Sequence, residues 1–103
     1  MMNELPEPLI FEWDEGNEQK NWRKHNVTIE EAEQVFFDES KLIYPDPTHS
    51  EVEPRKIIVG KTLNGRNLFI VFTLRNNKVR VISARDLNKR KEKSLYEKTP
   101  HTS

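Results

Sequence analysis

Cysteine is absent from this 103-residue sequence, and glycine and histidine are each represented by only three residues. Without cysteine the chain can form neither disulfides nor thiolate metal sites. It also has no long apolar run and no signal-peptide pattern, so neither a membrane span nor a secretion route is expected. These absences predict a cytoplasmic protein with no membrane contact. The length predicts a single domain over residues 1–103, with a flexible tail from about residue 99.

The familiar enzyme motifs are missing as well. The three glycines are isolated from one another, so there is no glycine-rich phosphate loop, and neither a cysteine nucleophile nor a serine elbow is present. The histidines are dispersed, with His25 at a predicted helix end, His49 in a loop and His101 in the tail. Their spacing argues against a native metal site, and we expect no metal and no other cofactor.

Charge is strongly segregated along a chain whose formal net charge is zero. Residues 1–40 carry 3 basic and 11 acidic side chains, whereas residues 41–103 carry 14 basic and 6 acidic ones. The cationic part can offer a phosphate-binding surface if the fold collects its side chains on one side. Solvated strand faces are the alternative explanation of the same composition.

The central part of the chain has the pattern of a β-sheet. Two short runs rich in apolar and β-branched residues, Arg55–Thr62 and Asn67–Arg75, are separated by the turn signal Asn64-Gly65. A third run begins after the pair Asn76-Asn77. The apolar residues Leu68 to Phe72 follow one another without a polar break, which predicts a central strand buried on both faces.

The pair Asn76-Asn77 predicts a two-residue hairpin, since asparagine tolerates a positive φ. Such a turn fixes the pairing of the two strands that it joins. The predicted pairs are Arg75 with Lys78, Thr73 with Arg80, Val71 with Ile82, and Phe69 with Ala84.

Two helices are predicted before the sheet. Asp14 is a plausible N-cap for a first helix that runs to about His25, and Asn26 is a tolerable left-handed end for it. Thr28 and Glu31 have the spacing of a capping box for a second helix. The apolar stripe of this second helix consists of Ile29, Ala32, Val35 and Phe36.

Short strands are predicted on either side of these helices, at Leu9–Trp13 and at Lys41–Tyr44. A last helix is predicted from a cap at Asp86 to about Lys98, with few apolar anchors. Together these elements predict an α+β fold, in which two N-terminal helices pack on a central, mostly antiparallel sheet that is followed by a C-terminal helix.

Basic and proton-carrying side chains accompany this predicted sheet: Arg55, Arg66, Arg75, Arg80 and Arg85, together with Lys24, His25 and Tyr96. Guanidinium groups can stabilise charge that develops on a phosphodiester, while His, Lys or Tyr moves a proton. RNA supplies its own nucleophile, the 2′-OH, so its cleavage needs only positioning and charge stabilisation. Taken singly, each arginine also fits a surface or capping role. His25 equally fits a role in stabilising a helix C-terminus.

Six motifs spread across the chain resemble the BrnT toxins. They are FEWDEG at 11–16, NWRKHNV at 21–27, EEAEQVFFD at 30–38, DPTHSEVEPR at 46–55, GR at 65–66, and VRVISAR at 79–85 with a later ExxxYE. The resemblance implies a RelE-like fold and a ribonuclease toxin of a bacterial type II toxin–antitoxin system. It also implies neutralisation by an antitoxin called BrnA, with DNA contacted only through the antitoxin complex.

The resemblance also implies which residues form the site. The catalytic positions are His25, Arg66, Arg80, Arg85 and Tyr96, and the substrate-binding positions are Lys24, Arg55 and Glu92. We expect Arg66 and Arg80 to lie on one cationic sheet face that binds the scissile phosphate. Asn26 stands where the family usually has glycine, but asparagine can adopt the same left-handed conformation. The alternative function is that of a noncatalytic protein that binds an antitoxin and acts in a DNA-bound autorepressor complex.

Overall fold

In the part of the chain that the structure describes, one helix packs on a five-stranded mixed sheet, which gives an α+β fold. The computed structural model describes residues 5–13, 25–46 and 54–87. The order of the strands in the sheet is β1-β5-β4-β3-β2. The elements in chain order are β1 Phe11–Glu12, α1 Ile29–Val35, β2 Leu42–Pro45, β3 Lys56–Lys61, β4 Asn67–Arg75 and β5 Lys78–Asp86.

The sheet is mostly antiparallel, as predicted. Strands β2, β3, β4 and β5 form three antiparallel pairs, and only the short β1 pairs in parallel with β5. The bounds of β4 agree with the sequence prediction, whereas β1 is shorter than the predicted strand at Leu9–Trp13. Pro45 is the last residue of β2, which is an edge strand of the sheet. Proline has no backbone N–H to donate, and an edge strand tolerates this because one of its sides has no neighbouring strand.

The predicted hairpin between β4 and β5 is confirmed. Asn76 and Asn77 have φ angles of 53° and 65°, and two consecutive positive values are characteristic of a two-residue hairpin loop. Arg75 pairs with Lys78, as the turn predicts. The next predicted pair on the same side of the sheet, Thr73 with Arg80, is confirmed as well.

Further from the turn the predicted register is wrong, because β5 contains a β-bulge. Phe72 pairs with Val81, but the neighbouring Val71 pairs with Ser83. Ile82 is therefore the extra residue of the bulge and does not lie opposite Val71 as predicted.

The bulge changes which side chains of β5 face the helix, since one extra residue reverses their alternation. Ala84, predicted opposite Phe69, instead pairs with Ile70 and is fully buried on the α1 side. Arg85 takes the position opposite Phe69, on the other face. Asp86 consequently turns to the α1 side of the sheet.

The core lies between α1 and the sheet. Phe36, which follows α1, packs edge-on against Phe11 and Phe72, with ring centroids 5.2 and 5.1 Å apart. The predicted burial of β4 on both faces is only partly observed, because Phe69 and Val71 on the side away from α1 are half-buried. The other buried residues of this core are Leu5, Val27, Ala32, Val35, Ile58, Leu68, Ile70, Val79, Val81 and Ala84.

The predicted capping box of α1 is confirmed. The backbone N–H of Glu31 donates to Thr28 Oγ1 at 3.1 Å, and the backbone N–H of Thr28 donates to Glu31 Oε1 at 3.0 Å. His25 is helical and Asn26 has a φ of 54°, in agreement with the predicted end of the first helix. The rest of that helix, the predicted last helix and the predicted tail lie outside the described residues. Within the described part of the chain, no helix is long and apolar enough to cross a membrane.

Candidate active site

Residues from four segments meet at one end of the sheet, and we call them the corner cluster: His25, Asn26, Glu31, Arg66 and Asp86. Glu31 lies on α1, Arg66 immediately precedes β4, and Asp86 is the last residue of β5. The positive φ of Asn26 turns the chain sharply between the helical residue His25 and α1.

Arg66 lies at the centre of the corner cluster and binds two carboxylates. Its Nε donates to Asp86 Oδ1 at 2.7 Å and its Nη2 donates to Asp86 Oδ2 at 3.1 Å, so this ion pair is bidentate. Its Nη1 donates to Glu31 Oε1 at 3.1 Å. Glu31 thus serves both the capping box of α1 and the arginine.

The same guanidinium binds two backbone carbonyls at the helix end. Nη2 donates to the carbonyl of His25 at 2.7 Å, and Nη1 donates to the carbonyl of Asn26 at 2.8 Å. Carbonyls at a helix C-terminus lack partners within the helix, and a cation there is favourable. All five N–H groups of Arg66 therefore have an acceptor within the protein.

The charges of the corner cluster alter the acidity of its members. The pKa of Asp86 is lowered, chiefly by the hydrogen bond from Arg66; partial burial opposes this shift, and the positive charges of Arg66 and His25 add to it. The pKa of Arg66 is raised, chiefly by its hydrogen bond to Asp86.

Arg85 lies beside the corner cluster, on the other face of the sheet. Its guanidinium carbon is 4.2 Å from the centroid of the Phe69 ring, a cation–π contact. Its Nη1 also donates to the backbone carbonyl of Asp86 at 3.1 Å. These contacts hold the half-buried guanidinium at the end of β5.

A second cationic group lies at the opposite end of β5, around Thr73. Arg80 pairs with Thr73 in the sheet, and its Nη1 is 4.0 Å from Glu12 Oε1. Arg55 immediately precedes β3. Lys56, the first residue of β3, pairs with Phe72, so Arg55 lies level with Thr73. Thr73 is buried, and its Oγ1 donates to the carbonyl of Pro54 at 2.7 Å.

The two cationic groups are too far apart to share one phosphate. Arg80 and Asp86 pair with Thr73 and Leu68, which are five residues apart in β4, and this corresponds to roughly 17 Å at the rise per residue of a strand. The prediction that Arg66 and Arg80 share a cationic sheet face is therefore wrong. Arg66 is held on the α1 side by Glu31 and Asp86, whereas Arg80 lies with Thr73 on the face away from α1.

The remaining predicted site residues, Lys24, Glu92 and Tyr96, lie outside the described residues, and their places stay predictions. Sequence reasoning assigned Glu31 and Asp86 to capping alone and so missed their contacts with Arg66. No sequence signal marks the bulge that directs Asp86 toward Arg66. In the ranges 5–13, 25–46 and 54–87, no three His, Cys, Asp or Glu side chains lie close enough to hold a metal ion.

Comparison with known proteins first gives the class of fold. The crystal structure of the Brucella abortus ribonuclease toxin BrnT is similar to this chain, with a TM-score of 0.60 and 20% sequence identity. The similarity covers 78% of this chain and 97% of the other, and at this identity it shows the fold alone.

The family follows from the sequence. Residues 13–91 match the family described as the ribonuclease toxin BrnT of type II toxin–antitoxin systems. This match covers most of the chain, which therefore belongs to the BrnT ribonuclease toxin family. Among functionally curated proteins, no match is found.

Proposed function

We propose that this protein is an endoribonuclease that cleaves RNA without a metal, by attack of a ribose 2′-OH on the adjacent phosphate. Membership of a ribonuclease toxin family over residues 13–91 is the observation that carries this proposal. The 2′-oxygen forms a bond to phosphorus while the bond to the 5′-oxygen breaks. The products are then one 2′,3′-cyclic phosphate end and one 5′-OH end.

His25 is the group that we assign to proton transfer. It is the only histidine among the residues that the structure describes, and its backbone carbonyl accepts from Arg66 in the corner cluster. An imidazole can take a proton from the 2′-OH or give one to the 5′-oxygen. By resemblance to the family, Tyr96 is the second candidate for a proton carrier.

Arg85 is the group that we assign to the scissile phosphate. It lies beside Asp86, at the end of the sheet where His25 also lies, and its stacking on Phe69 fixes its side chain. A positioned guanidinium can stabilise the negative charge that develops on the nonbridging oxygens.

Arg80 and Arg55 are assigned to phosphates further along the RNA. Their distance from the corner cluster is several times the size of one phosphate group, so they suit a flanking part of the strand. By resemblance, Lys24 and Glu92 also contact the substrate.

In the cell, we propose that cleavage of RNA inhibits translation and growth until a BrnA-type antitoxin neutralises the toxin. We place both proteins in the cytoplasm, with DNA contacted only through the antitoxin complex. This role follows from the type II toxin–antitoxin description of the family.

The test is incubation of the purified protein with RNA in the presence of EDTA, followed by analysis of the RNA ends. The proposal predicts cleavage with 2′,3′-cyclic phosphate ends by the wild-type protein and loss of this cleavage in His25→Ala. His25→Ala purified in the same way is also the control for a contaminating nuclease, which would cleave RNA in both preparations. Intact RNA at high concentrations of folded protein would instead favour a noncatalytic antitoxin-binding protein.

A further inference from the structure

We infer that Arg66 is a positioning residue, which holds the helix end at His25 against the end of β5 and does not bind the RNA phosphate. This inference rests on the proposed function, because His25 is the proposed proton carrier. It also reassigns an arginine that the sequence motifs placed among the catalytic groups.

The donors of Arg66 are fully used within the protein. Its five N–H groups bind the two carboxylates of Glu31 and Asp86 and the two carbonyls of His25 and Asn26. A phosphate could reach the guanidinium only by replacing one of these partners, so the contact would exchange one charge-assisted hydrogen bond for another.

Local charge also disfavours a phosphate at this point. Two carboxylates, Glu31 and Asp86, contact the single cation Arg66. An incoming phosphate would therefore meet two negative charges within a few ångströms of the one positive charge. Arg85, by contrast, stacks on Phe69 and donates to a neutral backbone carbonyl.

The contacts of Arg66 join parts of the chain that are remote in sequence. They span 41 residues to His25, 35 residues to Glu31 and 20 residues to Asp86. Because Glu31 also accepts from the backbone of Thr28, the start of α1 is tied to the same point. The arginine thereby fixes the backbone of His25 relative to the end of β5, where Arg85 is held.

Glu31→Gln is the most informative variant, with Glu30→Gln as its matched control. Glutamine at position 31 can still complete the capping box, so the change removes mainly the charge that binds Arg66. Glu30 is an exposed neighbour in the same helical turn, and its substitution removes the same charge from the helix start. We expect kcat for RNA cleavage to fall about 10-fold in Glu31→Gln and to be unchanged in Glu30→Gln.

Arg66→Lys tests the geometry of the guanidinium, since lysine keeps the charge but lacks the planar fork. We expect kcat to fall about 10- to 100-fold, the range that a misplaced catalytic group can produce. The affinity for an RNA analogue with a 2′-deoxy residue at the cleavage site should stay at the wild-type value. Wild-type kcat in Arg66→Lys would overturn the inference, and tighter RNA binding by Glu31→Gln than by Glu30→Gln would instead make Arg66 a phosphate ligand.

Hydrogen exchange of the backbone amides at residues 26–28 provides a readout that does not need activity. Faster exchange there in Arg66→Lys and Glu31→Gln, with wild-type exchange in Glu30→Gln, supports the positioning role even if the protein cleaves no RNA. Unchanged exchange at these amides in both variants would contradict it. Hydrogen exchange therefore distinguishes failure of the inference about Arg66 from failure of the proposed ribonuclease function.

Discussion

Arg66 and Asp86 form a bidentate ion pair, with Nε 2.7 Å from Oδ1 and Nη2 3.1 Å from Oδ2. The pair depends on the bulge at Ile82, because regular alternation through Ile82 would point Asp86 to the other face of the sheet. It joins the start of β4 to the end of β5 and, through Glu31, to α1. One irregularity in a strand therefore shapes the candidate active site.

Acid should destabilise the protein through Asp86. Its pKa is lowered in the folded state, mainly by the hydrogen bond from Arg66. Folding stability from this group is therefore fully present above its unfolded pKa, about 3.9, and is lost as the pH falls through the lower folded pKa. When the pH is lowered below about 4, the thermal midpoint of the wild type should decrease more than that of Asp86→Asn. Parallel pH profiles of the two proteins would show that Asp86 makes no such contribution.

Deletion of Ile82 should preserve the pair between Arg66 and Asp86. Without this residue, Val81, Ser83 and Ala84 alternate regularly opposite Phe72, Val71 and Ile70, so the strand beyond them keeps its partners and its faces. The deletion removes the half-buried Ile82 side chain and the bulge, and it should cost about as much as the matched variant Ile82→Ala, about 2 kcal/mol in the free energy of unfolding. Urea unfolding checks both variants, and a far greater loss in the deletion would mean that the strand beyond the bulge changes its register.

Thr28→Ala should destabilise the protein by about 1 kcal/mol, the usual cost of removing an N-cap hydroxyl. The lost contact is the hydrogen bond from the backbone N–H of Glu31 to Thr28 Oγ1. Thr28→Ser retains the hydroxyl and serves as the control. Equal unfolding free energies for the alanine and serine variants, measured in urea, would be the contrary result.

Arg85 and Arg80 should have different effects on RNA cleavage. Arg85→Ala removes the proposed ligand of the scissile phosphate, and kcat should fall about 10²- to 10³-fold. Arg80→Ala removes a flanking contact that lies roughly 13 Å along the sheet from Arg85, so RNA binding should weaken and the slope of its salt dependence should fall by about one. Single-turnover kinetics and binding at several salt concentrations separate the two. A lower kcat in Arg80→Ala together with a wild-type kcat in Arg85→Ala would contradict these two assignments.

Local signals in the sequence predicted much of the fold. The Thr28 and Glu31 spacing gave the capping box of α1, and Asn76-Asn77 gave the hairpin and its first pairs. These features depend on neighbouring residues, whose preferences for turns and caps are strong. The bounds of β4 followed from its continuous apolar run.

The arrangement of the site could not be predicted in the same way. Ile82 continues the β-branched pattern of its strand, and nothing in its type marks it as an extra residue. The partners of Arg66 are 20 to 41 residues away, and their convergence depends on tertiary packing. Motif resemblance named Arg66 and Arg80 together, but only the structure separates them to opposite faces and opposite ends of β5.

Cleavage of two matched RNA oligonucleotides tests the central claim most directly. One is all-ribose, and the other carries a single 2′-deoxy residue at the mapped cleavage site; both are incubated with the protein in EDTA. We expect the first to yield a 2′,3′-cyclic phosphate end and the second to resist cleavage at that bond, because its nucleophile is missing. Cleavage of the 2′-deoxy bond, with a 5′-phosphate product, would contradict attack by the 2′-OH.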